Sequence, residues 1–183
     1  MTRNLIFILF FLSPTLSFSQ IGPDTVIINF YKWYQKTIRF DKEIEYQPTL
    51  AKDSNGAYTL IKEKYFSNLR KHGFTDNLIE KEDSSYNDCI KHFTKTKGNN
   101  QQIKDCLGLN TYRWTHKTLS TDSIVIRKSL KYGMNKQLII GELYANGNYE
   151  KLYSNCFVAI MLLVNNQWKI DILTPSEGCN GYD

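Results

Sequence analysis

The stretch CFVAIMLLVNNQWKIDIL, residues 156–173, decides the fold class of this chain, because its pattern is that of a β-hairpin. An apolar run ends at Val164, a run of alternating apolar and polar residues begins at Gln167, and Asn165-Asn166 lies between them. Asparagine tolerates the positive φ that a two-residue hairpin turn requires. The stretch therefore predicts two antiparallel strands. The expected cross-strand pairs are Leu163 with Trp168, Met161 with Ile170, and Ala159 with Ile172.

Two upstream runs have the same period of two and extend the predicted sheet. They are IVIRKSLKY at 124–132 and QLIIGELYA at 137–145, and the long strand itself is predicted to begin near Tyr149. Asn146-Gly147 precedes the long strand and predicts a second two-residue turn. With that turn, the face that carries Met161 and Trp168 also carries three further pairs. These are Tyr144 with Tyr149, Glu142 with Lys151, and Ile140 with Tyr153.

The N-terminal half has a helical period instead. Pro23 and Asp24 predict a helix start, and apolar residues then recur at helical spacing from Ile27 to Ile38. A second amphipathic helix is predicted from about Tyr58 to His72, where Gly73 stops it. Shorter helices are predicted near Asp76–Glu82, Tyr86–Phe93 and Gln101–Leu107, and a polar surface loop over residues 95–102.

Two stretches carry a resemblance to a known family: FYKWY at Phe30–Tyr34, and the long apolar strand with its Asn-Asn turn and WKIDIL. Together they resemble the NTF2-like superfamily, which includes SnoaL and ketosteroid isomerase, and more narrowly an exported bacterial subfamily with an F-Y-x-W-Y first helix. The resemblance implies a cone-shaped α+β fold in which N-terminal helices pack on a curved antiparallel sheet. It implies a possible cavity between helices and sheet, but no particular activity, since the scaffold hosts enzymes, binding modules and assembly domains.

Residues 1–19 have the pattern of a secretory signal peptide. Arg3 precedes an apolar run from Leu5 to Leu16, which is too short to span a membrane, and Ser17-Phe18-Ser19 places small residues at the cleavage positions. We therefore expect cleavage after Ser19, a single domain over residues 20–183, and a periplasmic or extracellular location. No cysteine lies near the cut, so no stable membrane anchor is expected after cleavage.

Charge and cysteine content limit the partners. The formal net charge is +5, with the charged residues interspersed rather than gathered in an arm, which gives no support for nucleic-acid binding. Four cysteines in an exported chain predict two disulfides. The favoured pairing is local, Cys89 with Cys106 and Cys156 with Cys179. Metal binding is not expected, because no C-x-x-C spacing occurs and His72, His92 and His116 are far apart in sequence.

The aromatic stripe of the first helix has two interpretations. Core packing is favoured, because aromatic side chains at helical spacing bury the most area. The alternative is a polar-mouthed cavity that binds a ligand. Its candidate residues are Tyr31, Tyr34, Glu142, Tyr144, Lys151 and Tyr153. Glu142 with Lys151 can equally be a solvated cross-strand ion pair, which contributes little.

Nothing in the sequence supports catalysis or a cofactor. Asp171 is expected on the solvent face beside Lys169, and neither His92 nor His116 lies beside a nucleophile or carboxylate in a catalytic pattern. The favoured function is an exported, noncatalytic module that binds a small ligand or a protein partner. One alternative is a SnoaL-like isomerase or hydrolase, which would need Glu142 in a dry pocket with a raised pKa. Another is an immunity- or inhibitor-type protein that acts by surface contact.

The long strand is apolar on both faces, which predicts a cover for the second one. The residues of that second face are Cys156, Val158, Ile160, Leu162 and Val164. An open antiparallel sheet in a monomer usually keeps one face polar. The expected cover is either a second copy of the chain, giving a homodimer, or the C-terminal tail held by Cys179.

Overall fold

The computed structural model describes residues 21–96, 98–109, 112–115, 123–144 and 155–177. Within these ranges the chain is an α+β protein in which helices pack on an antiparallel sheet, so the predicted fold class is confirmed. The helices are α1 (Pro23–Arg39), α2 (Glu43–Tyr46), α3 (Glu63–Lys71), α4 (Asp76–Thr96) and α5 (Asn100–Cys106). The strands are β1 (Thr49–Lys52), β2 (Tyr58–Ile61), β3 (Ser123–Tyr132), β4 (Lys136–Tyr144), β5 (Asn155–Val164) and β6 (Gln167–Glu177).

Helix α1 begins as its sequence predicts and supplies one side of the core. Pro23 stands in its first turn, where the missing N–H costs no hydrogen bond, and Asp24 complements the helix dipole. The buried residues follow the predicted stripe and are Ile27, Phe30, Tyr31, Tyr34, Thr37 and Ile38. This face packs toward β3 and β6.

In the described residues no helix is long and apolar enough to cross a membrane.

The prediction of one helix from Tyr58 to His72 is half wrong. Tyr58–Ile61 is strand β2, which pairs antiparallel with β1, and the helix starts only at Glu63. The turn between β1 and β2 is built by Asp53, whose carboxylate accepts hydrogen bonds from the backbone N–H groups of Asn55 and Ala57. Gly56 supplies the left-handed residue of that turn, with φ 79°.

Helices α4 and α5 occupy most of the region predicted as short pieces and a polar loop. The two helices predicted at 76–82 and 86–93 are one continuous helix, and α5 starts at Asn100, inside the predicted loop. Asn99 and Gln102 form a reciprocal capping box at the start of α5. The predicted Cys89–Cys106 disulfide is present and links α4 to α5. Cys156 is also disulfide-bonded, while Cys179, its predicted partner, lies outside the described residues.

Strands β3 to β6 form one antiparallel sheet in chain order. The β5–β6 turn is the predicted one, with Asn165 and Asn166 both at positive φ. Leu163 pairs with Trp168 and Met161 with Ile170, as predicted. The third pair is wrong, because a bulge follows Ile170 and makes Ala159 the partner of Leu173.

Asp171 is the extra residue of this bulge, and it does not form the predicted solvent-facing pair with Lys169. Its carboxylate accepts hydrogen bonds from the Thr75 hydroxyl at 2.9 Å and from the Asn77 amide at 3.3 Å. The Thr75 hydroxyl also accepts the backbone N–H of Leu78 and so caps α4. Beside it, Phe74 bridges in parallel to Ile170 through two backbone hydrogen bonds. The bulge therefore joins β6 to the start of α4.

The sheet has a core face turned toward the helices and an outer face turned away from them. Phe157, Ala159 and Met161 of β5 are fully buried on the core face. Phe157 lies directly against Gly141 of β4, where a Cβ atom would come within 2.3 Å of the ring. Glycine at this position therefore makes room for the Phe157 ring.

The outer face consists of rows that cross all four strands, as the registers define them. The row nearest the β3–β4 turn is Tyr132, Lys136, Leu162 and Lys169. The next row is entirely apolar and contains Leu130, Leu138, Ile160 and Ile172. The third row is Lys128, Ile140, Val158 and Thr174. The predicted apolar parity of β5 is thus present, since Val158, Ile160 and Leu162 all lie on this face.

Candidate functional site

Tyr31 and Tyr34, the two helical residues of the predicted cavity, are fully buried among aromatic rings. The Tyr31 ring lies 4.7 Å from the Phe157 ring, and the Tyr34 ring is stacked 5.7 Å from that of Phe30. Phe30 in turn contacts Phe74 and Trp114. In the described residues this region is packed core, which is the interpretation of the aromatic stripe that the sequence favours.

The hydroxyl groups of Tyr31 and Tyr34 are buried, and among the described residues neither has a hydrogen-bond partner. The Tyr34 hydroxyl comes close to the backbone of Trp114 without reaching hydrogen-bond geometry. Burial raises the pKa of both phenols above the usual value. Both therefore stay protonated at physiological pH, which does not suit the role of a general base.

The sheet register separates Glu142 and Tyr144 from these tyrosines. Glu142 pairs with Cys156, and Ile140 pairs with Val158, so the predicted pairs with Lys151 and Tyr153 are wrong. The observed register differs from the predicted one by an odd number of residues, which turns every side chain of β4 to the other face. Glu142 and Tyr144 consequently lie on the outer face, away from Tyr31 and Tyr34. Lys151 and Tyr153 lie outside the described residues.

Glu142 and Tyr144 instead form a polar cluster with Arg127, which sequence reasoning missed. Arg127 is the extra residue of a bulge in β3, between Ile126 and Lys128. Its guanidinium donates to the Glu142 carboxylate at 2.8 and 2.5 Å and to the Tyr144 hydroxyl at 2.5 Å. The Tyr144 hydroxyl also donates to Glu142. A signal for the bulge was present, because Arg127-Lys128 places two charges in succession and breaks the alternation of the strand.

The electrostatics of this cluster do not suit a general base. Burial raises the pKa of Glu142, but the hydrogen bonds from Arg127 and Tyr144 and the charge of Arg127 lower it by more, so the net direction is downward. The hydrogen bond to Glu142 raises the pKa of Tyr144, and burial adds to this. Glu142 is thus an ionised, paired carboxylate at neutral pH, whereas the enzyme hypothesis requires a raised pKa.

Glu82 is a second carboxylate that the sequence did not single out. It is buried on α4 and accepts two hydrogen bonds from Arg113, at 3.0 and 2.5 Å. Nearby, the Trp114 indole N–H donates to the fully buried Tyr65 hydroxyl at 3.1 Å. These contacts hold residues 112–115, which have no regular secondary structure, against α3 and α4. The arrangement is that of a structural ion pair.

An open groove of about 570 Å³ follows α4 beside the disulfide. Its lining residues are Lys81, Ser84, Ser85, Asp88, Cys89, His92 and Cys106. All of them except Cys106, which ends α5, lie at helical spacing on one face of α4. They are solvated, apart from the buried Cys89. Across the described residues, no group of three or more histidine, cysteine, aspartate or glutamate side chains is placed to hold a metal ion.

Comparisons with known proteins give no relative from which a role could be transferred. A scan against protein-family models and searches of curated proteins and of solved structures found no match to this chain.

Proposed function

We propose that this chain is an exported, noncatalytic binding module of the NTF2-like class, which acts by surface contact and associates with a second copy of itself. The surface it uses is the outer face of β5 and β6. The class assignment is supported by the FYKWY helix, the WKIDIL strand and the α+β arrangement of helices on an antiparallel sheet.

The observation that carries this proposal is the apolar row that crosses the outer face. Leu130 and Ile172, at its two ends, are 38 % and 39 % exposed. Val164, at the end of β5, is 37 % exposed. Monomeric proteins seldom leave a continuous apolar band of this kind in water.

The charge distribution favours a second copy on the β5–β6 half of this face. Among the ten outer-face residues of β5 and β6, only Lys169 is charged. A surface with a single charged residue meets its own copy with little like-charge repulsion, and a two-fold interface uses the same patch on both chains.

The packed interior and the state of Glu142 argue against the other functions. The space between α1 and the sheet is occupied by Tyr31, Tyr34 and Phe157, where a small ligand would have to bind. An isomerase or hydrolase would need a carboxylate of raised pKa in that space, and Glu142 lies on the other face with its pKa lowered.

The test is the mass of the protein in solution, measured by size-exclusion chromatography with light scattering. We expect twice the chain mass at high micromolar concentration, and we expect Leu162→Glu to give a folded monomer. Each buried Leu162 contributes about 1.5 to 3 kcal/mol to association, and a buried glutamate opposes it. The matched control is Ile61→Glu, at an exposed position of β2, which should remain dimeric. A chain mass for the unaltered protein at that concentration would contradict the proposal.

A further inference from the structure

The end of the β3–β4 ribbon is exposed on both of its faces. Every residue from Arg127 to Lys136 is exposed, whereas the first half of β3 is partly buried apart from its first residue. The residues 127–136 are called the basic hairpin here. On its helix side the Ser129 hydroxyl donates to the carboxylate of Asp24 at the start of α1.

The basic hairpin combines cations with exposed apolar side chains. Met134 at the turn is 96 % exposed, and Tyr132 beside it is 57 % exposed. Arg127, Lys128, Lys131 and Lys136 are its charged residues, and the segment contains no acidic residue. Arg127 is engaged with Glu142, which leaves three lysines that no acidic residue of the hairpin balances.

The lysines stand on both faces of the ribbon around the apolar tip. Lys128 pairs with Ile140, and Lys136 pairs with Tyr132, so both lysines belong to the outer face. Lys169 lies in the same row as Lys136. Lys131 pairs with Gln137 and belongs to the helix side. A protein partner would contact one face of such a ribbon. If the tip of the ribbon enters a charged planar surface, that surface contacts the lysines on both faces of the ribbon at once.

We infer that the basic hairpin is a peripheral binding site for an anionic lipid surface. The lysines attract the headgroups, and Met134 and Tyr132 enter the interface between them, as amphipathic elements do at membranes. Lysines on an outermost strand also discourage unwanted strand pairing. That role explains neither Met134 nor Tyr132, because apolar side chains at the same place increase the tendency to associate.

The test uses the chain from Gln20 onward, which contains every described residue, and measures its co-sedimentation with lipid vesicles. The vesicles are phosphatidylcholine alone, or phosphatidylcholine and phosphatidylglycerol in equal parts. We expect binding only to the vesicles that contain phosphatidylglycerol, with an affinity that falls as salt is added.

Two variants separate charge from insertion. Lys128→Gln with Lys131→Gln and Lys136→Gln should weaken binding about a hundredfold, since each lysine near an anionic surface contributes roughly fivefold. Met134→Ser with Tyr132→Ser should weaken it roughly tenfold at unchanged salt dependence, because the apolar contacts are lost while the charges remain. All five positions are exposed, so thermal unfolding should be nearly unchanged in both variants.

The matched control removes the same charge elsewhere, with Lys64→Gln, Lys91→Gln and Lys95→Gln on exposed positions of α3 and α4. It should change binding less than threefold. Equal losses in the control and the hairpin variant would show attraction by net charge alone and overturn the inference. Unchanged binding of the Met134→Ser, Tyr132→Ser variant to the vesicles that contain phosphatidylglycerol would also overturn the inference. Binding to an acidic polypeptide such as polyglutamate, without binding to either vesicle, would assign the surface to an acidic protein and overturn the lipid site.

Discussion

Tyr31 and Tyr65 are both fully buried tyrosines, but within the part of the chain that the structure describes only the Tyr65 hydroxyl has a hydrogen-bond partner. Tyr65 accepts the indole N–H of Trp114, whereas the Tyr31 hydroxyl is buried without a partner among the described residues. An unpaired buried hydroxyl costs free energy, since it has lost its hydrogen bonds to water. The same residue type therefore has opposite effects on stability at the two positions.

The substitution Tyr31→Phe should raise the free energy of unfolding by about 1 kcal/mol, because it removes an unpaired hydroxyl and keeps the ring that packs on Phe157. The matched control, Tyr65→Phe, should lower it by about 1 to 2 kcal/mol, since the buried Trp114 N–H then lacks an acceptor. Urea denaturation measures both. A loss of stability in Tyr31→Phe would show that its hydroxyl is hydrogen-bonded in the folded protein.

Residue-level reasoning predicted the burial of α1 well and the position of Glu142 badly. The stripe from Ile27 to Ile38 follows from side-chain spacing within one helix, which needs no information about neighbours. The face of Glu142 depends on the number of residues between β4 and β5. A difference of one residue in that connection reverses the face, and the Asn146-Gly147 signal predicted a shorter connection than the observed register allows.

Among the elements, the bulge in β6 has the widest effect on the arrangement. It turns Asp171 toward the first turn of α4, where the Thr75 hydroxyl donates to its carboxylate and accepts from Leu78 N–H. A carboxylate near a helix N-terminus is also favoured by the helix dipole. A single extra residue in a strand thus positions a helix that lies almost a hundred residues earlier in the chain, at a separation of 96.

This contact predicts that Thr75 and Asp171 are energetically coupled. Thr75→Ala should lower the free energy of unfolding by about 1 to 2 kcal/mol, because α4 loses its cap. The double variant with Asp171→Ala should lose less than the sum of the single losses, by about 0.5 to 2 kcal/mol.

The control for this cycle is Asn99→Ala, which removes the cap of α5 instead. Combined with Asp171→Ala, its effect should add within about 0.5 kcal/mol. Additive losses for Thr75 and Asp171, measured in the same denaturation experiments, would contradict the coupling.

Two features of the elements were not predicted, and the sequence contained a clear signal for only the first of them. Asp53-Ser54-Asn55-Gly56 is a strong turn signal, and the structure has the β1–β2 turn there. Tyr58 and Ile61 fit the helical spacing of the following segment, which concealed the short strand. The second feature is the Thr75 cap of α4. The residue three positions after Thr75 is apolar, whereas a capping box has Glu or Gln there, so this cap has no distinctive signal in the sequence.

For the whole molecule, the sequence predicted the fold class because the change of hydrophobic period from 3.6 to 2 falls at one place in the chain. A mostly helical half, interrupted by the short β1–β2 hairpin, followed by consecutive strands leaves few arrangements other than helices packed on an antiparallel sheet. The function could not be predicted in the same way, because it depends on which side chains the register and the bulges bring together.

The proposed export makes a prediction at the scale of the whole molecule. The protein recovered outside the cytoplasm should have the intact mass of a chain that begins at Gln20, since signal peptidase requires the small residues Ser17 and Ser19. Ser19→Trp should block the cut and leave a larger, membrane-associated precursor. Recovery of the unaltered protein with residues 1–19 still attached would contradict the assignment of a signal peptide.

The bridge between Phe74 and Ile170 also bears on the order in which the chain folds. Strands β3 to β6 are consecutive neighbours and can assemble from local contacts. Helix α1 and the start of α4 instead contact β6, which is synthesised after every other described element. Contacts between distant parts of a chain form slowly, because the intervening segment must first lose entropy. The N-terminal half therefore has no complete core until β6 has left the ribosome. For the proposed export, the same delay would leave the chain unfolded during translocation.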